Sequence, residues 1–123
     1  MAEGKRMNTL KIRDTVHRLV GMLVAEDYAG LEAASRGRRL TAAQLRQAVE
    51  EYGRKLRMPP ESVFEVFDED NLDVYELASP RSWAVLVPLW TVEEGRSDLT
   101  LELVLTDKGE EHYDIEIHDL HVL

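Results

Sequence analysis

The chain has 123 residues, 44% of them apolar and 32% charged. That suits one compact domain and excludes a multidomain enzyme. Without cysteine it has no disulfide framework, thiolate zinc site or cysteine nucleophile. The net charge of -9 is unevenly spread: residues 1–60 hold 12 Lys/Arg and 7 Asp/Glu (+5), and residues 61–123 hold 3 and 17 (-14). An acidic second half is a poor nucleic-acid surface and a natural one for a basic protein or a cation.

Residues 1–8 carry basic side chains but lead into no uniform apolar run, so they read as a flexible N-terminus and not as a signal peptide. The longest apolar stretch, 83–92, includes Pro88 and Thr91 and is far shorter than the ~20 residues that span a bilayer as a helix. A cytoplasmic protein with no membrane partner is expected.

A first helix is expected over 9–25, where Ile12, Val16, Leu19, Val20, Leu23 and Val24 recur at helical spacing behind Asn8 or Thr9 as cap. A short second helix over 27–35 begins at an aspartate and stops before Gly37. The basic connector Arg36-Gly37-Arg38-Arg39 precedes Thr41-Ala42-Ala43-Gln44, a capping box that opens a third helix over 42–56; Pro59 and Pro60 forbid its extension.

Beyond the prolines the period changes to two. The segment 61–70 fits a helical turn or a strand, and 72–77, 83–92, 99–106 and 112–122 read as strands joined by glycine-bearing turns. The expected fold is α+β: a single domain over 9–123, helical over 9–57 and mostly strand over 62–123. Its helices should pack on a three- or four-stranded antiparallel meander. Leu99, Leu101, Leu103 and Leu105 face the core, and Thr100, Glu102, Val104 and Thr106 face away. If Gly95-Arg96 is a two-residue hairpin loop, Leu86 and Trp90 join the leucines, while Val85, Val87 and Leu89 lie outside with Val104. Pro88, lacking an amide proton, marks an edge or a bulge.

The order of a long helix, shorter helices and a meander resembles the cystatin-like or nuclear transport factor 2-like superfold. A closer likeness rests on Leu89-Trp90-Thr91-Val92-Glu93-Glu94-Gly95-Arg96-Ser97-Asp98-Leu99-Thr100-Leu101-Glu102-Leu103 and the ending Asp119-Leu120-His121-Val122-Leu123. These resemble a group of bacterial proteins classed as a domain of unknown function. The resemblance implies a bacterial origin and carries no catalytic residue with it. Composition is also similar to that of immunity proteins of polymorphic toxin systems.

Four histidines raise the question of a metal. His118 and His121 have odd separation and point to opposite faces of a regular strand; only a bulge at Asp119 would unite them, so they read as surface histidines and no metal or other cofactor is expected. His17 reads as a boundary residue of the first helix. Asp114, Glu116 and Glu102 meet on the outer face, but a flat face lacks the pocket that acid/base catalysis needs. The arginines of 36–57 are read as complementing the acidic segment 61–76.

The expected function is therefore non-enzymatic protein interaction through the outer sheet face, with Val85, Val87, Leu89 and Val104 as apolar centre and Glu102, Asp114 and Glu116 as acidic margin. Its partner would be a basic protein, in the immunity-like version a toxin, or a second copy in a homodimer. The alternative is a small-molecule binder or cavity enzyme of the nuclear transport factor 2-like type, using Tyr28, Tyr52, Trp90 and Tyr113 between helices and sheet.

Overall fold

The computed structural model describes residues 7–79 and 81–123; the reading of residues 1–6 as a flexible terminus lies outside them. Three helices come first, α1 (Thr9–Val24), α2 (Tyr28–Ala34) and α3 (Ala42–Tyr52). Each start is capped by an oxygen in the expected place: Asn8 accepts from Lys11 N, Asp27 from Gly30 N, and Thr41 from Gln44 N, whose own side chain closes the capping box. The third helix ends earlier than the prolines require. Gly53 takes φ 76°, the left-handed conformation that ends helices, and frees the next residues for a strand.

That strand, β1 (Leu56–Arg57), is followed by the single turn α4 (Ser62–Glu65) and by β2 (Asp73–Glu76), β3 (Ser82–Thr91), β4 (Gly95–Thr106) and β5 (Asp114–Val122). All pairings are antiparallel, in the order β1-β3-β4-β5, with β2 sharing the β1 side of β3. The fold is thus α+β with a five-stranded sheet whose last three strands form the meander. β1 escapes sequence reading because two residues carry no period; pairing of Leu56 with Thr91 and Arg57 with Trp90 creates it.

The register corrects the expected faces of β3. Thr91 pairs with Gly95, so the loop is Val92-Glu93-Glu94 and Gly95, at φ 75°, stands at its end. Glu94 N donates to Thr91 Oγ1, Tyr52 donates its hydroxyl to Glu94, and Val92 N donates to the Lys55 carbonyl, which pins this loop to α3 and β1. With this loop and a bulge between Pro88 and Trp90, Val85 lies opposite Leu103 and Val87 opposite Leu101. Val85, Val87 and Leu89 are therefore core residues at 0%, 0% and 1% exposure, and Ala84 and Leu86 occupy the outer face. A one-residue change in the turn inverts every side chain of the strand.

Ile12, Val16, Leu19, Val20 and Leu23 of α1, with Leu31, Leu45, Phe64 and Leu72, pack against the β4 leucines and Ile115 and Ile117 to form one apolar core. These side chains pack the middle of the space between helices and sheet, and a cleft of about 460 Å³ remains at its margin between α1, α3 and β1, lined by none of Tyr28, Tyr52, Trp90 and Tyr113. Tyr28 and Tyr113 are buried among the core side chains as packing residues.

Tyr113 meets Trp83 edge-on at 6.1 Å between centroids, with Lys11 Nζ 4.5 Å above its ring. Burial, aided by the charge of Asp107, pushes its phenol up to about 12. A raised folded-state pKa gives stability that is complete below the unfolded value near 10 and is lost as pH rises toward 12. Urea midpoints measured from pH 9 to 11.5 are expected to fall in the wild type and to fall less steeply in Tyr113→Phe.

Candidate functional site

Alternation along four strands builds the outer face in rows. In one row Tyr75, Ala84, Val104 and Glu116 stand side by side across β2, β3, β4 and β5; in the next stand Asp73, Leu86, Glu102 and Asp119. The third row is Pro88, Thr100 and His121. Ala84, Leu86 and Val104 are half-buried by their sheet neighbours alone and take no part in the core. The result is a short apolar strip flanked by carboxylates on both sides. Asp73 is further fixed by the Tyr75 hydroxyl, which donates to it at 2.6 Å, and this bond raises the Tyr75 pKa.

The acidic margin divides into different roles. Asp114 is the most enclosed, with a side-chain exposure of 13%, and is gripped at both oxygens by Arg38 at 2.9 Å. Arg38 holds its carboxyl below the usual range, with burial opposing and Lys108 and Arg36 assisting. Asp114 is thus an internal fastening and cannot serve a partner. Glu116 lies 3.0 Å from His118 Nδ1 and 3.9 Å from Arg39. Glu102 approaches His121 Nε2 at 2.8 Å. The three carboxylates share the outer face, but each faces a different basic side chain, so they do not form a coupled acid/base pair.

The basic connector goes to β5, which corrects its expected pairing with 61–76. Besides holding Asp114, Arg38 donates to the Ile115 carbonyl at 2.7 Å, and Arg39 donates to the His118 carbonyl at 3.1 Å. β5 is the outer strand on this side of the sheet, and the two guanidinium groups occupy its backbone acceptors. Arg36, Gly37 and Arg39 all have positive φ (59°, 67° and 69°), a strained path that aims these side chains. Among the described residues, the segment 61–76 makes peripheral contacts, Glu61 to His17 at 3.3 Å and Asp70 to Arg96 at 3.6 Å. His17 also stacks on Phe64 at 4.7 Å, a boundary position as expected.

A bulge is present in β5, but at His118 and not at Asp119, and the group it builds includes His121 without His118. Leu103 pairs with Ile117 and Glu102 with Asp119, leaving His118 as the extra residue. Asp119 and His121 then share the outer face with Glu102, and the three form the group of potential metal ligands found among the described residues. Sequence reading passed over Asp119 because no glycine or proline announces this bulge. Trp90, past the other bulge, packs against the core and beneath Arg57, whose guanidinium lies 5.3 Å from its ring.

Among the described residues, no helix is long and apolar enough to cross a membrane. No curated protein and no solved structure matches the chain. The model of the family described as a domain of unknown function (DUF7668) matches residues 20–123, a span that begins within α1 and takes in α2, α3, the whole sheet and every residue of the outer rows. The chain belongs to this family, a domain of unknown function.

Proposed function

We propose that this is a protein-interaction domain whose outer sheet face receives a basic, apolar-tipped surface of a different protein, as an immunity-like inhibitor would receive a basic toxin. The observation that carries this reading is the strip of Ala84, Leu86 and Val104, outside the core and bordered by Asp73 on one side and Glu102, Glu116 and Asp119 on the other. Apolar contact would supply affinity, and the carboxylates would select the partner and speed encounter. A second copy fits less well, since face-to-face contact sets like charges together over both margins. The apolar centre is thus Ala84, Leu86 and Val104, in place of the inward-facing Val85, Val87 and Leu89.

The test uses a synthetic peptide of alternating leucine and lysine, followed by fluorescence anisotropy. The wild type should bind it with an affinity that falls with salt, and the double variant Leu86→Ser, Val104→Ser should bind at least tenfold more weakly while unfolding at a similar temperature. Equal binding by the double variant would remove the face from consideration. Light scattering that gives a dimer in the wild type and a monomer in the double variant would assign the face to a second copy instead.

A further inference from the structure

The geometry points to a divalent transition-metal site of the zinc class on the outer face of β4 and β5, formed by Glu102, Asp119 and His121. Two carboxylates and one neutral imidazole bring a charge of -2 to a divalent ion, and the imidazole favours zinc and its neighbours over magnesium or calcium. The bulge at His118 creates the group: it sets Asp119 opposite Glu102, with His121 two residues further along the same face.

The second observation is the state of the His121 ring. Its Nε2 is sealed from solvent and makes no hydrogen bond, although Glu102 Oε2 lies only 2.8 Å away. The carboxylate therefore stands close to this nitrogen but off the line along which an N–H would donate. Two ligand atoms around a tetrahedral zinc at ~2.1 Å stand roughly 3.4 Å apart, so the pair has to open by about half an ångström to take the ion. The candidate ligand atoms of all three residues lie within 4.8 Å of one another; Asp119 Oδ1 accepts from Leu120 N at 2.8 Å, which leaves Oδ2 for an ion.

Asp119 has a second way to contribute. Its Oδ2 is 3.6 Å from His121 Nδ1, the other ring nitrogen. A carboxylate there fixes the tautomer that leaves Nε2 free to bind metal. Exposures of 26%, 44% and 37% for the side chains of Glu102, Asp119 and His121 leave one side of the group open, so the ion would keep water or accept a further ligand.

The experiment titrates zinc chloride into the chelator-treated full chain by isothermal titration calorimetry. One saturable site is expected, unaffected by millimolar magnesium. His121→Gln should weaken it at least tenfold, as should Glu102→Gln, whereas His112→Gln should not alter it. Long-range nitrogen–proton spectra of the histidine rings should show the His121 Nε2 resonance moving on addition of zinc. No saturable binding up to 1 mM zinc would overturn the assignment. Binding that survives in both His121→Gln and Glu102→Gln, with native circular dichroism, would do the same. The leucine–lysine peptide is measured with chelator present, because Glu102 and Asp119 belong to both the acidic margin and the metal group, so either result stands without the other.

Discussion

Val85→Lys should fail to fold at 25 °C, while Leu86→Lys, one residue along the same strand, should lie within about 1 kcal/mol of the wild type. Val85 has 0% exposure and packs opposite Leu103 in the middle of the core. A lysine there must bury an ammonium or release its proton, and either costs roughly 4–6 kcal/mol, comparable with the whole stability of many domains of this size. Leu86 stands between Asp73 and Glu102 on the outer face, where a cation meets two carboxylates. Circular dichroism and urea unfolding of the two proteins read the result. The reverse outcome, a folded Val85→Lys and an unfolded Leu86→Lys, would restore the inverted register and place Val85 outside.

Arg38→Met should lower stability by about 2–3 kcal/mol and the melting temperature by roughly 10 °C, the largest effect expected of any surface side chain. The variant loses both bonds to Asp114 and the bond to the Ile115 carbonyl, and leaves a mostly enclosed carboxylate with Lys108 at 4.0 Å and the charge of Arg36 in place of a bonded partner. Asp114→Asn in the same chain should recover part of the loss, since it removes the unpaired charge. The acid dependence has a definite sign. Because Arg38 depresses the folded-state pKa of Asp114, the pair's contribution is present above the unfolded value near 3.9 and is lost as pH falls through the folded one. The stability gap between wild type and Arg38→Met should stay constant from pH 5 to 8 and close below pH 4. A gap unchanged at pH 3 would place the arginine's contribution in the carbonyl bond alone.

These two sites also mark how far sequence carries. The leucines of 99–105 and the helix caps at Asn8, Asp27 and Thr41 are legible because each depends on neighbours a few residues away. The face of β3 is not, because it hangs on whether two or three residues make one turn. That choice is decided by Tyr52 and Lys55, which lie about forty residues upstream and hold the longer loop in place. The early end of α3 could be read from Gly53, a residue suited to the left-handed stop, but Pro59 and Pro60 drew the boundary onward. Of the expected margin, Glu102 and Glu116 face outward as read, while Asp114 is withdrawn by an arginine whose destination no spacing rule gives. The group around His121 needs a bulge in a stretch without a bulge-forming residue type, so it becomes visible only when β5 is aligned with β4.

The arginines on β5 have a consequence for how any complex would be detected. One side of the sheet has two of its carbonyls, those of Ile115 and His118, taken by Arg38 and Arg39; the other is split between two short strands, with Pro88 and its missing amide proton in the gap between them. Neither side offers a continuous ladder to an incoming strand, so recognition has to come through side chains standing on the sheet. Backbone amides of β3 and β4, which have strands on both sides, would already be slow to exchange with deuterium in the free protein and would change little on binding. The methyl resonances of Ala84, Leu86 and Val104 are where an encounter would register first.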